Sequence, residues 1–200
     1  MRPSIAKILT LAALGTASAA ALAHPGSDGG LHDVVFMDGL LHPLTGADHM
    51  AAMLAVGLWS AMTATSARRV WFAPLAFAGM LLVGALLGLD GVALPAVEPM
   101  IAASLLVLGL LVASQARLPA MLAAGIVGVF AIFHGIAHGT ELAGGTNGFT
   151  PLLGMLIATL GLHLAGVGLG LALRRHSAWW PRVVGGLVTL LGGAFLLQLV

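Results

Sequence analysis

Residues Pro119–His138 read PAMLAAGIVGVFAIFHGIAH, an uncharged and mostly apolar stretch. A helix that crosses a bilayer needs about 20 such residues, and this stretch supplies that length without interruption. Two histidines, His134 and His138, stand close to its C-terminal end. The stretch therefore predicts a membrane-spanning helix that carries polar side chains near one face of the bilayer.

The rest of the chain has the same character. Of its 200 residues, 60% are hydrophobic and 8% are charged, whereas about a quarter of the residues in soluble domains are charged. The formal net charge of +1 provides no basic surface for nucleic acid. Cysteine is absent from the sequence, so any metal must be bound by histidine, carboxylate, backbone or methionine. These values predict an integral membrane protein without disulfides or thiolate sites.

The N-terminal residues have the features of a secretory signal. We expect residues 1–23 to be a cleaved signal peptide, because Arg2 and Lys7 precede an apolar segment that ends in a small-x-small sequence. Cleavage leaves a short periplasmic segment, residues 24–42, that begins at His24. The alternative is an uncleaved anchor helix, which would keep the orientation of the remaining chain.

Beyond the signal, six apolar segments are long enough to cross a bilayer. They are residues 43–64, 70–89, 95–114, 119–138, 151–173 and 181–200. Several begin with or near a proline, which the first turn of a helix tolerates. The sequence therefore predicts an all-α, polytopic bundle of six transmembrane helices that forms a transport domain over residues 43–200.

The arginines beyond the signal indicate the orientation of this bundle. All of them fall in or directly beside the connections after the first, third and fifth segments: Arg68, Arg69, Arg117, Arg174, Arg175 and Arg182. Since cytoplasmic loops are enriched in arginine and lysine, these connections are predicted to face the cytoplasm. Both termini of the mature chain would then be periplasmic, in a multi-pass protein of the bacterial inner membrane.

The first segment opens with a polar motif, His42-Pro43-Leu44-Thr45-Gly46-Ala47-Asp48-His49. If a helix begins at Pro43, His42 and His49 lie about 20° apart around its axis, with Asp48 beside them. A carboxylate inside a membrane helix is costly without a partner, so the motif favours a metal site. The alternative is an ordinary helix start, in which Asp48 stabilises the N-terminal dipole.

The fourth segment ends with Phe133-His134-Gly135-Ile136-Ala137-His138-Gly139-Thr140-Glu141. On a helix, His134, His138 and Glu141 stand at about 0°, 40° and −20°, so all three share one narrow stripe. Two histidines four residues apart offer two nitrogen ligands to one divalent cation. The alternative is a buried histidine network that only holds helices together.

Three further polar residues are candidates for the metal site, although their spacing in the sequence does not by itself indicate metal binding. Glu98 lies near the outer end of the third segment and His163 lies near the middle of the fifth. Each has an ordinary alternative, a dipole partner for Glu98 and a hydrogen bond between helices for His163. His24 would add an imidazole and an amine after cleavage. Met50 and Met53 follow His49, and we interpret them as packing residues, with a soft-metal contact as the alternative.

Together these residues predict an outward-facing site for a divalent cation. Nitrogen and oxygen donors without sulfur suit Ni²⁺, Co²⁺, Zn²⁺ or Cu²⁺ better than Cu⁺. Neutral imidazoles replace water ligands, while Asp48, Glu98 and Glu141 offset the charge of the ion. The residues alone do not identify the metal, and we expect no prosthetic group beyond the transported ion.

In these motifs the sequence resembles the HupE/UreJ family of nickel and cobalt permeases, which are associated with hydrogenase and urease systems. The resemblance covers nearly the whole mature chain. It implies a secondary or facilitated importer of Ni²⁺ or Co²⁺ and a link to hydrogenase or urease maturation. It also implies which residues line the substrate path: His42, Asp48, His49, Glu98, His134, His138 and Glu141.

Two alternative functions, an enzyme and a haem-binding protein, are of a different class from transport. An intramembrane zinc hydrolase would use histidine ligands and an activated water, with Asp48 or Glu141 as general base. A haem-binding bundle would need axial histidines, but His134 and His138 are too close on one helix to ligate opposite faces of a haem. Direct ATP hydrolysis is excluded, because the sequence has no P-loop and no lysine beyond Lys7. The sequence leaves open whether the chain forms a homo-oligomer.

Overall fold

The computed structural model describes residues 36–143, 148–174 and 179–198. This part of the chain contains seven α-helices, with a 3-10 turn over Arg69–Trp71 before the third. The helices are α1 (Phe36–Thr45), α2 (Ala47–Thr63), α3 (Phe72–Leu89), α4 (Val97–Ser114), α5 (Ala120–Leu142), α6 (Phe149–Leu173) and α7 (Trp179–Gln198). The predicted signal peptide and His24 lie outside the described residues.

Five helices in the described part, α3 to α7, are long and apolar enough to cross a membrane. Their ends lie within four residues of the second to sixth predicted segments. Prolines favour the starts of four of these helices, because each has proline as its third residue, where no intrahelical N–H is needed. These prolines are Pro74, Pro99, Pro151 and Pro181.

The first predicted segment differs from the structure. It is not one helix from Pro43 but two helices, because α1 begins at Phe36, includes Pro43 and ends at Thr45. Gly46 then takes an extended conformation, with φ −78° and ψ 116°, and α2 begins. The hydroxyl of Thr45 donates to the carbonyl oxygens of Leu41 and His42, which satisfies the end of α1. With 17 residues, α2 is shorter than the five long helices, so the six-helix count does not follow from the structure.

Glycines let the most closely packed helices approach each other. A Cβ atom at Gly135 would overlap the carbonyl oxygen of Leu81, and one at Gly139 would overlap that of Ala85. These contacts join α5 to α3, as small residues do in membrane bundles. They also set the rotation of α5, and His134 and His138 each immediately precede one of these glycines. Similar close contacts join α6 to α1 and α2, at Gly39, Gly57, Gly154, Gly166 and Gly170.

The distribution of apolar side chains is that of a membrane bundle. Trp59, Phe77 and Leu81 are fully buried between the helices. Large apolar residues also cover the outside, and Met121 and Leu190 are 84% and 71% exposed. A soluble protein of this size would not expose so large an apolar surface. The chain is therefore a multi-pass membrane protein.

Candidate metal site

The outer rim of the site combines two histidines and a carboxylate. Ligand atoms of His42 on α1, and of His138 and Glu141 on α5, all lie within 4.8 Å of one another. A carboxylate oxygen of Glu141 is 3.6 Å from His42 Nε2 and 3.6 Å from His138 Nδ1. The same three residues line a cavity of about 470 Å³, together with Asp38 and Met155. This arrangement can bind one divalent cation through two nitrogens and one oxygen.

A third histidine lies directly behind this rim. The ring of His49, on α2, is 4.4 Å from that of His138 and 5.8 Å from that of His42, measured between centroids. Its Nδ1 donates to the carboxylate of Asp48 at 2.9 Å, and its backbone N–H donates to the same oxygen. The break at Gly46 allows this geometry, since a Cβ there would lie 3.1 Å from that carboxylate oxygen. Asp48 therefore orients His49 and supplies negative charge beside it.

The fourth histidine, His134, lies deepest of the group. Its ring centroid is 4.9 Å from that of His49, and its side chain is fully buried. Its Nε2 lies 3.0 Å from the hydroxyl oxygen of Ser104 on α4. Ser104 itself donates to the carbonyl of Ile101 at 2.6 Å, so its oxygen accepts from His134. We refer to His42, His49, His134 and His138 as the histidine cluster.

The hydrogen bonds of this cluster determine which nitrogens can bind a metal. Because Nδ1 of His49 and Nε2 of His134 act as donors, the other nitrogen of each ring is the one that can offer a lone pair to a metal. These atoms, His49 Nε2 and His134 Nδ1, have no hydrogen-bond partner among the described residues, and neither does His138 Nε2. Metal-binding histidines commonly use one nitrogen for the metal and donate the other N–H to a fixed acceptor. The buried lone pairs thus match the chemistry of nitrogen ligands.

Burial keeps the outermost histidine neutral at physiological pH. It lowers the pKa of His42 below the ordinary value of 6.5, against the opposing effect of the Glu141 carboxylate, and nearby His49 lowers the pKa further. A neutral imidazole has a lone pair for a metal, whereas a protonated one repels it.

The structure brings together six of the predicted site residues and separates two others. His42, Asp48, His49, His134, His138 and Glu141 form one group around the cavity and the histidine cluster. Glu98 is exposed in the first turn of α4, which is where a carboxylate favours the helix dipole, and no close contact joins it to this group. His163 is buried in α6, and its ring lies 5.3 Å from that of Phe77, which lies 5.6 Å from that of His134.

Sequence reasoning missed two contributors, Ser104 and Phe77. Ser104 is an isolated hydroxyl in an apolar helix, but such a serine commonly bonds only to its own helix. Phe77 carries no polar group at all. Met50 and Met53 pack into the hydrophobic core, in line with their interpretation as packing residues.

Comparisons with known proteins show which family the chain belongs to. The family described as HupE / UreJ protein matches residues 11–195. Protein HupE of Rhizobium leguminosarum bv. viciae is 42% identical over 188 residues, which cover 94% of this chain and 95% of that protein. No solved structure matches the chain. A family match over almost the whole length, together with a relative of this similarity, shows that the chain belongs to the HupE/UreJ family.

Proposed function

We propose that this chain is a secondary or facilitated importer of a divalent transition-metal cation across the bacterial inner membrane. Ni²⁺ is the first candidate, with Co²⁺ and then Zn²⁺ as alternatives. The observation that carries the proposal is the histidine cluster, in which buried nitrogens of His49, His134 and His138 lack a hydrogen-bond partner among the described residues. Membership of the HupE/UreJ family supports the same conclusion.

The arrangement of charge suits capture of a hydrated ion from outside. Glu141 is 57% exposed, whereas His138 is 2% exposed, so the carboxylate meets the ion first and the imidazole lies behind it. Each step inward exchanges a water ligand for a nitrogen ligand. Asp48 then offsets part of the positive charge beside His49, where the surroundings are apolar and an unpaired charge is costly.

The geometry favours a path over a single catalytic centre. A zinc hydrolase needs three protein ligands around one ion with an open position for water, and the rim residues His42, His138 and Glu141 could supply three by themselves. Here the rings continue inward from the rim, from His138 to His49 at 4.4 Å and from His49 to His134 at 4.9 Å. A row of ligands at increasing depth suits an ion that moves from one to the next.

The membrane potential can contribute driving force, and proton coupling is the alternative source. An inside-negative potential favours inward movement of a divalent cation by about 4.6 kcal/mol per 100 mV, twice the value for a single charge. The cation would serve nickel enzymes such as hydrogenase or urease. We propose that the cavity faces the periplasm. Arg69, Arg117 and Arg174 lie at the end of the bundle that is opposite to the cavity, and arginine-rich ends face the cytoplasm.

Uptake of radioactive nickel tests the proposal. Cells without their own nickel importer should accumulate nickel when they express this chain. His49→Ala and His138→Ala should abolish that uptake at matched protein levels, because each removes a ligand from an ion that has lost its water. His176→Ala is the matched control, since His176 follows two arginines at the predicted inner end, outside the described residues. Nickel uptake equal to that of cells without the protein would refute the proposal.

A further inference from the structure

His163 lies in α6, away from the histidine cluster, and its hydrogen bond leaves one nitrogen free. Its side chain is 1% exposed, and its Nδ1 is 2.7 Å from the carbonyl oxygen of Thr159. A carbonyl can only accept a hydrogen bond, so Nδ1 carries the proton and Nε2 keeps the lone pair of the neutral ring. Neither His163 Nε2 nor the hydroxyl oxygen of Thr159 has a hydrogen-bond partner among the residues described.

This pattern repeats that of the histidine cluster. His49 and His134 each hold one nitrogen in a hydrogen bond and leave the other unpartnered in a buried position. A histidine that served only to join helices would use its second nitrogen for that purpose, because buried polar atoms without partners are rare and destabilising. The unpartnered nitrogen of His163 therefore indicates that this side chain binds a ligand.

Phe77 connects His163 to the cluster. Its ring centroid lies 5.6 Å from that of His134 and 5.3 Å from that of His163, and its side chain is fully buried. His163 lies about 21 Å along α6 from Phe149, and His134 about 12 Å along α5 from Leu142. Since these two helix ends are joined by one short connection, His163 lies deeper in the bundle than His134.

We propose that Nε2 of His163 and the hydroxyl oxygen of Thr159 form an inner binding station for the transported divalent cation. The ion would pass from Nδ1 of His134 along the ring of Phe77, whose π-electrons attract a cation, to Nε2 of His163. This proposal rests on the proposed import function and adds a second site to it. With this station, the ion crosses the apolar interior in two shorter steps instead of one: from the histidine cluster to His163, and from His163 onward.

Binding and transport can be compared on the same purified chain. In proteoliposomes, His163→Gln should reduce nickel uptake at least tenfold, while nickel affinity at the histidine cluster stays within twofold of the unsubstituted chain. Thr159→Val should reduce uptake severalfold, and Thr159→Ser, which keeps the hydroxyl group, should restore it. Uptake by His163→Gln within twofold of the unsubstituted chain would overturn the inner station alone. If His163→Gln lowered nickel affinity at the histidine cluster as much as it lowered uptake, His163 would have a structural role and the inner station would be refuted. Absence of uptake by the unsubstituted chain would refute the import function and the station together.

The absence of cysteine from the sequence allows a direct spectroscopic test. His163→Cys places a single thiol at the proposed station, and cobalt bound there should give a sulfur-to-metal charge-transfer band in the near ultraviolet. Ala158→Cys is the matched control, because Ala158 is also buried in α6 but lies on another side of the helix. A band for His163→Cys alone is the expected result. No band at saturating cobalt, or equal bands for both variants, would overturn the proposal.

Discussion

At the scale of single residues, the hydroxyl of Ser104 sets the proton position on His134. It donates to Ile101 and accepts from Nε2 of His134, which leaves Nδ1 free for a metal. We expect Ser104→Ala to weaken nickel binding by about 10- to 100-fold, the usual effect of losing such a supporting hydrogen bond. Isothermal titration of the purified chain measures this affinity.

Ser114→Ala provides the control for this prediction. Ser114 lies on the same helix, but its hydroxyl donates to the carbonyl of Leu110 at an exposed position. Its removal should leave nickel affinity unchanged. Equal affinities for the two variants would show that Ser104 has no part in orienting His134.

The protonation state of His42 predicts how binding depends on pH. Burial lowers its pKa below 6.5, so His42 is neutral at pH 7 and becomes protonated only in more acidic solution. Because a proton and a metal compete for the same lone pair, nickel affinity should be nearly constant between about pH 8 and pH 7 and should fall below about pH 6. Equilibrium dialysis across this range measures the effect. A steep loss of affinity already between pH 8 and pH 7 would contradict it.

At the scale of helices, the contact between α3 and α5 holds the site in position. Gly135 and Gly139 allow the backbones to meet, and a Cβ at either position would overlap a carbonyl oxygen of α3. We expect Gly135→Ala or Gly139→Ala to lower the free energy of unfolding by about 1–3 kcal/mol, the usual cost of overpacking. Thermal unfolding in detergent measures the change.

Gly125, also on α5, provides a control that distinguishes overpacking from the effect of alanine on helix propensity. Gly125 has no described atom within 4 Å of an added Cβ, so Gly125→Ala should be neutral or slightly stabilising. Nickel uptake should fall only for the first two substitutions, since they shift His134 and His138. Similar unfolding temperatures for all three variants would contradict the close-packing explanation.

Much of the helix arrangement and part of the site could be predicted from the sequence alone. Helix ends were predictable where a proline stands in the first turn, and the stripe of His134, His138 and Glu141 follows from the period of one helix. The break at Gly46 was not predictable, because Pro43 equally suits the start of a helix and the interior of α1. Ser104 and Phe77 reach the site from other helices, and a single sequence carries no signal for which helices pack together.

At the scale of the whole molecule, opposite charges lie at opposite ends of the bundle. One end has the cavity with Glu141 and Asp38. At the other, Arg69 and Arg117 line a second cavity of about 340 Å³, and the guanidinium of Arg174 donates to the carbonyl of Ala61 at 3.1 Å. Because an arginine-rich end repels cations, we expect a transported cation to enter at the carboxylate end.

This asymmetry leads to a prediction about orientation in the membrane. Because arginine-rich connections stay in the cytoplasm, the connection before α3 should be cytoplasmic, and the connection between α3 and α4 should be periplasmic. We expect Val92→Cys to react with an impermeant thiol reagent in intact cells, and Ser66→Cys to react only after the cells are opened. The sequence has no cysteine, so each variant reports a single position. If Ser66→Cys reacted in intact cells and Val92→Cys did not, the histidine cluster would face the cytoplasm, and the same site would receive ions for export instead of import.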